Sequence, residues 1–586
     1  MMNKIKTFLV ALIGTLLLST PAYAGAVVPI IIGGIIGGGA AALGLVAGSI
    51  FTAAAIGAAV GAVVGFLGGD LLGGFFDVPD YNVTQNAQAE NDGILINKVG
   101  TLEHIPVIYG KRKVGGPIVF LTTGGERNKY LYMAVVLCEG EIDGVERVYI
   151  DDIAEDDERF KGRKQIDVFT GADNQSASSL LKESGKFTDD HRLRGVAYLA
   201  CRFEWRKIEN QEDADNNPFS SIPKIQAIVR GKKTASAATA GSVSYENETG
   251  LSYSTNPADH LLDYLRNPRY GKELSNDRIN FPSFATARAK YAQTVNYAQG
   301  GSGPMITSNA VIDTARSLLD NTKLFLANMR SGMPYVQGKF KLKVHDTGHD
   351  TDAQNTTPNV QFAVTRDHII GGIKLQGNGT REHFNQVKIT YIDPENEWKT
   401  NEVIYPELNS ATDQTYLAED NGRRLSKDFA FNHITQRNIA GDLAHIILTQ
   451  SRKRKSVAFT ATAELHEMEV GDIISITYDL LGFSAVNYRI NTLKINNDYT
   501  INITATEHTP ADYVFQNTEI KYASTTQKKY VGGLIPGKYY YWDGSEWQEG
   551  VPPPPNGNEP TLPATPVLTS NELKINSVTI RGTKTG

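Results

Sequence analysis

Apolar and polar positions split the chain into two unequal parts. Between Thr7 and Gly69 there is no Asp, Glu, Lys or Arg. The run from Ile30 to Phe76 is apolar and small almost throughout, long enough for two spans of roughly 20 residues. Ala40, Gly44 and Gly48, then Gly57, Gly61 and Gly65, recur every fourth position. Small residues on one helical face let apolar helices approach closely in lipid. In water each such glycine would weaken a helix by up to about 1 kcal/mol relative to Ala. The pattern predicts an apolar helical segment suited to a membrane or to a shielded oligomeric interior. Its start, MMNKIKTFLVALIGTLLLSTPAYAG, has Lys4 and Lys6, an apolar run and the small-residue site Ala22-Tyr23-Ala24, which is the form of a secretory signal peptide.

From Asp77 the pattern becomes that of a water-exposed, strand-rich protein. Short runs such as IPVIYG, YLYMAVVL, VERVYID, QIDVFTG, VAYLACRFEW and IQAIVRG are punctuated by Gly, Asp and Asn, as strands and hairpins are. SASSLLKES reads as a helical patch between strands. Residues 234–246 are small and polar and read as a linker or loop. Residues 253–335 read as mostly helical: Pro257 can open a helix, and Leu261, Leu262 and Leu265 follow at helical spacing. Ser308 to Arg330 reads as a second amphipathic helix, with Val311, Ala315, Leu318, Leu319 and Leu326 near one face and Gly332 ending it. Strands return with KFKLKV and QVKITYID; 437–455 reads as a helix, and VAFTATAEL, IISITY, YRINTLKI and YTINITATE as strands. YYYWDGSEW predicts a hairpin turning at Asp543-Gly544, followed by a Pro-rich connector at 551–566. The expected organisation is 1–76, 77–240, 241–345, 346–515 and 516–586: an apolar head, a β-rich domain, a helix-rich domain, a second β-rich domain and a hairpin with a tail.

Composition narrows the chemistry. The 586 residues carry 58 Lys+Arg and 64 Asp+Glu, a net charge of −6, which excludes a generally basic nucleic-acid coat. Two cysteines, Cys138 and Cys201, each sit in an apolar run; they exclude a disulfide scaffold and a cysteine zinc site and read as core thiols. No P-loop, dinucleotide fingerprint, HExxH, GxSxG or EF-hand loop is present. The cluster His345, Asp346, His349, Asp350, Asp352 reads as a solvated turn rather than a metal site. The acidic run Asp151, Asp152, Glu155 to Glu158 reads as a solvent face, and Arg452 to Lys455 as a solvated helix end favoured by the helix dipole. No catalytic residue, cofactor or metal is assigned.

The middle of the chain resembles the tail-tip attachment proteins (host-specificity protein J family) of long, non-contractile-tailed bacteriophages. The likeness is carried by CEGEIDGVERVYIDDI (138–153), NPFSSIPKIQAIVRGKK (217–233), and Asn267-Pro268-Arg269-Tyr270-Gly271. It continues in ITSNAVIDTARSLLDNTKLFLANMRSGMPYVQGKFKL (306–342), in the strand with Asp393, Pro394 and Trp398, and in LHEMEVGDIISITYD with Gly471 and Asp472. These segments stand in the family's order and cover about 70% of the chain. The resemblance implies an α+β, β-rich, multidomain tail hub with β-barrel-like domains and a helix-rich insert, beside the apolar N-terminal helical segment. It implies a homotrimer that closes the distal tail tube, meets other tail-tip, tube and fibre proteins and the host envelope, and passes genomic DNA without sequence-specific binding. The apolar head lies outside that pattern and reads as a plug or membrane-penetrating element. Two rival readings are an exported cell-surface adhesin and a tail-associated cell-wall hydrolase.

Overall fold

Why the first strands sit where they do follows from the run YLYMAVVLC, which is apolar at consecutive rather than alternate positions. A strand of that kind must be covered on both faces. In the computed structural model, Tyr130–Glu139 is an inner strand of an antiparallel sheet ordered Ile118–Gly124, Tyr130–Glu139, Val196–Glu204, Lys164–Phe169. Leu131, Met133, Val135 and Leu137 face a second antiparallel sheet (Lys111–Val114, Ile225–Lys232, Ile142–Ile150, Ile153–Ala154). Tyr132, Ala134 and Val136 face Leu180, Leu181 and Phe187 around the short helix Ser179–Lys182. Cys138 and Cys201 are free and fully buried in the inter-sheet core. Burial pushes the Cys138 thiol up to about 12 and raises that of Cys201 as well.

The structure describes residues 91–522, apart from 92, 100–102, 206–217, 220, 298–300, 378–382, 454 and 515–519, together with 540–542 and 547–549. The chain divides into two compact units, residues 1–523 and 524–586. In the second, Tyr540–Trp542 pairs with Trp547–Glu549. The expected hairpin is present, but Trp542 opposes Trp547, so four residues separate the strands rather than the pair Asp543-Gly544. The apolar segment, with Ala40, Gly44, Gly48, Gly57, Gly61 and Gly65, and the Pro-rich connector lie outside the described residues.

The helix-rich region follows the sandwich. Pro257–Arg266 starts where expected: the Asn256 side chain accepts from the Ala258 N–H at 3.1 Å, and Pro257 takes the first helical position, where no N–H is needed. Leu261, Leu262 and Leu265 join Phe284, Phe325 and Leu326 in its core. Residues 234–246 are packed rather than loose: Ala237 and Ala240 enter that core, and the Asp259 carboxylate accepts from the Ala237 N–H at 2.7 Å. The long helix expected over 308–330 is shorter. Val311–Ile312 is a strand paired with Val107–Ile108, and the helix is Leu318–Asn328, capped by Ser317. The β-branched pair found an open strand edge, and pairing there outweighed helical periodicity. Leu318 and Leu319 accordingly face solvent. Gly332 does not end the helix; Ser331–Gly332 pairs with Lys343–Val344.

Two further sheets complete the first unit. In one, Gln386–Asp393 lies parallel to Ser426–Phe431 and antiparallel to Lys399–Tyr405, and the helix Arg437–Lys453 packs Ile439, Leu443 and Ile447 onto it. The other has six strands ordered Phe362–Val364, Ile473–Tyr478, Phe483–Ile495, Ile501–Glu507, Lys455–Ala461, Ile369–Gly377. Its two edge strands are consecutive in the chain, joined by residues 365–368. Laid flat, five inter-strand spacings separate those edges by about 24 Å. The connection reaches about 18 Å when fully extended. The sheet is therefore curled into a half-barrel around Val457, Phe459, Ile474, Ile490 and Ile503. The α+β, strand-rich, barrel-like expectation is borne out.

Candidate functional site

The motif residues do not gather into one pocket. They mark joints at which the sandwich, the helix-rich region and the half-barrel meet. The first joint is built around Asp263, which the helix Pro257–Arg266 carries on a face that is wholly buried. Its carboxylate accepts from Lys232 Nζ at 2.7 and 2.8 Å, Tyr109 at 2.5 Å, Tyr245 at 2.9 Å and Tyr270 at 3.1 Å. Lys232 comes from a sandwich strand, Tyr109 from the link between Val107–Ile108 and the sandwich strand Lys111–Val114, and Tyr270 from the Asn267–Gly271 turn. Burial works against the Lys232 ammonium, but Asp263 and the surrounding tyrosines outweigh it and hold the group charged, well above its usual range. The Tyr109 and Tyr270 hydroxyls are raised by burial and by the same carboxylate, so they act as donors throughout the neutral range.

The turn itself is a backbone device. The Asn267 side-chain oxygen accepts from the N–H groups of Arg269 and Tyr270 at 2.8 and 3.1 Å, and its amide donates to the Tyr245 hydroxyl at 2.7 Å. Pro268 is exposed on the turn, and Arg269 reaches back to Glu139 of the sandwich at 2.8 Å. A Cβ on Gly271 would lie 1.8 Å from the Tyr264 carbonyl oxygen, so no other residue fits without moving the turn.

A second joint centres on Arg112, buried to 1% exposure. It donates to the carbonyls of Asn309 at 3.2 Å and Asn432 at 2.6 Å and to the Asn91 side chain at 3.0 Å. Asn91 in turn donates to the Trp398 carbonyl at 3.1 Å. Asp393 caps the short turn that begins at Pro394, accepting from the Glu395 N–H at 2.9 Å and the Asn401 amide at 2.7 Å. Trp398, 6% exposed, closes that turn. Asp393, Pro394 and Trp398 are thus positioning residues for a hairpin end.

The third joint is a cleft of about 390 Å³ between the helix Phe281–Tyr291, the segment 341–351 and the half-barrel. Gly471 and Asp472 line it. Lys343 pairs with Asp472 at 2.5 Å and Glu469 at 3.1 Å, and Lys341 pairs with Glu469. The cluster at 345–352, expected as a solvated turn, is split. His345 and Asp346 are buried at 6% and 1% exposure, and Asp350 and Asp352 are exposed. Asp346 pairs with Lys290 at 2.7 Å, a partner 56 residues away that local sequence does not reveal.

Two charged runs complete the placement. The acidic run is mostly exposed and paired with cations, Asp152 with Lys224, Asp156 with Arg147 and Asp157 with Arg159. Within the basic run Lys455 is exposed, but Arg452 is not the solvated group expected. Arg452 is half-buried, its side chain set against Asp420 at 2.8 Å and Glu419 at 2.5 Å and stacked 4.1 Å over the Tyr416 ring, so its guanidinium is occupied by carboxylates. Among the described residues no group of three or more His, Cys, Asp or Glu is placed to hold a metal, and no helix is long and apolar enough to cross a membrane. Sequence reading missed Lys232, Asp263, Arg112 and Arg489. The available signal was weak: a charged residue, Asp263, at an inward helical position between Leu262 and Tyr264.

Comparison with known proteins sets these joints in a family context. Residues 332–493 match the family described as "Putative phage tail protein", a match that takes in the Asp393 hairpin and the 341–351 and half-barrel sides of the third joint but not the helix Phe281–Tyr291. Over 481 residues the chain is 23% identical to the baseplate hub protein pb3 of Escherichia phage T5, covering 71% of this chain and 48% of that protein. The chain therefore spans about half the length of the curated relative it matches. Its fold is similar to that of a chain in the virion of a native gene transfer agent particle, with a TM-score of 0.50 at 15% identity over 80% of this chain and 99% of that one. In sequence the chain is similar to phage tail and baseplate proteins, and in fold to a chain of a gene transfer agent particle.

Proposed function

We propose that the chain is a structural virion protein, a baseplate hub of the tail-tip attachment (host-specificity protein J) class, rather than an enzyme. Three copies enclose the distal end of the tail tube, contact neighbouring tail-tip, tube and fibre proteins, take part in host attachment and open to let DNA leave. The lumen handles DNA without reading its sequence. The apolar segment 1–76 acts as plug or membrane-penetrating element during entry. The observation that carries this reading is the 481-residue likeness to a baseplate hub protein. The joints support it, because they are built to fix regions against one another: the motif residues hold turns and buried ion pairs rather than converging on a reacting centre.

The test is electron cryomicroscopy of purified particles together with peptide mapping of their proteins. The expected result is three copies at the distal tail tip with residues 1–76 present. Absence from particles, or a position along the tube or head, would overturn the reading.

A further inference from the structure

We propose that the half-barrel is fastened to the helix-rich region by a histidine-centred latch that acid releases. The inference rests on this chain's geometry and does not depend on the tail assignment.

The apolar core of the half-barrel contains no residue of the helix-rich core, and the cleft of about 390 Å³ lies where the two would meet. Apart from Ile473, whose side chain lies against Gly348, what crosses is polar. From the half-barrel, Arg489 donates to the Asp346 carbonyl at 2.8 Å, and His508 Nε2 meets the Thr347 carbonyl at 2.9 Å. Arg489 also approaches His508 Nδ1 at 3.4 Å. This network assigns the His508 tautomer: Nε2–H donates to Thr347, and bare Nδ1 faces a guanidinium N–H. A proton on Nδ1 would set N–H against N–H and cation against cation, which the closed joint cannot accommodate.

The other charges facing this point come from every neighbouring element. The helix-rich side brings Arg330, His345, Asp346, Lys290, Lys341 and Lys343; the half-barrel brings Arg489, Glu469 and Asp472; the helix Arg437–Lys453 brings Asp442, paired with Arg330 at 3.1 Å; and the turn Pro510–Tyr513 brings Asp512 and Tyr513. Asp350 sits at the cleft's rim. Burial, then Arg489, holds His508 down to about 3, and burial with Arg489 and Arg330 holds His345 well below its usual value. Once the joint opens, both histidines return to about 6.5 and take up protons. Between pH 7.5 and 5.5 this favours opening about tenfold per histidine. Asp442 opposes it: burial raises its carboxyl to about 6, so the closed form also gains a proton, worth about fourfold the other way. The net shift is about 25-fold toward opening.

Hydrogen exchange of the full chain reads this directly, because exchange reports even a rare open state. After correction for intrinsic rates, peptides covering 343–350 should exchange about 25-fold faster at pH 5.5 than at 7.5. Peptides in 130–139, 196–204 and 501–507 should not change. His508→Gln keeps a donor for the Thr347 carbonyl but cannot titrate, and should reduce the gain to about threefold. No gain at 343–350, an equal gain in every segment, or an unreduced gain in His508→Gln would each overturn the latch. If His508→Gln does not fold, the wild-type contrast between 343–350 and 501–507 decides alone.

Discussion

The sandwich and the half-barrel are both β units attached to the same helix-rich region, and they are attached by opposite means. The sandwich shares apolar core with it: Val107 and Tyr109 belong to the helix-rich cluster, Val311 packs into the sandwich, and the backbones pair at Val107–Ile108 with Val311–Ile312. The charged knot there, Lys232 with Asp263, has every carboxylate oxygen answered by donors. The half-barrel keeps its own core and is joined through ion pairs and carbonyl contacts beside a cleft. Apolar burial is indifferent to pH. Partly hydrated ionic contact is not. One unit is fused; the other is fastened.

Breaking the fused joint has the largest expected effect. Asp263→Ala leaves the Lys232 ammonium buried without a counter-ion and should cost about 3–5 kcal/mol in urea unfolding. Adding Lys232→Met to Asp263→Asn should recover most of that loss, because an apolar replacement removes the stranded charge. Gly271→Ala drives a Cβ into the Tyr264 carbonyl and should cost about 1–3 kcal/mol, with faster exchange at 267–271. At the fastened joint, Lys343→Ala removes a part-exposed pair and should cost about 1 kcal/mol or less.

Titration sharpens the contrast. The Lys232 ammonium is raised in the fold, so its contribution is complete below the unfolded value near 10.4 and is lost only as pH climbs through the folded one. Protection at 267–271 should therefore be flat from about pH 7.5 to 9, whereas below about 6.5 His260, stacked on Tyr109 and held low by burial, works against the joint. His345 and His508 are held neutral in the fold, the latter at about 3. Unfolded, they bind protons below about 6.5, so their burial costs stability progressively as pH falls from there. The smallest effect belongs to a surface pair: Asp156→Ala, which frees exposed Arg147, should leave the urea midpoint unchanged.

Elements whose formation depends on near neighbours were legible. The doubly covered strand at 130–139, the Asn256-Pro257 helix start and the helix over 437–453 follow from local pattern and capping chemistry. The failures share a cause. Val311–Ile312 looked helical until a strand edge more than 200 residues earlier offered pairing. The His345–Asp346 segment and Arg452 looked solvated until Lys290, Arg489, Glu419 and Asp420 covered them. The motif Asn267–Gly271 could be found by resemblance, but its role as a turn clamped to Asp263 could not.

Sequence alone settled elements such as the strand at 130–139 and the helices at 257–266 and 437–453, that both cysteines are core residues, and that the described part of the chain builds several β-rich cores. Those properties depend on the spacing of apolar side chains within a few turns or pleats. Only the tertiary structure decided which charges are buried, which of them are paired, and that one β unit is fused and the other fastened. A charge's energy depends on how much water remains around it and on what stands within a few ångströms. At these joints that is set by residues up to 320 positions away, such as Asn432 on Arg112, and no local pattern carries it.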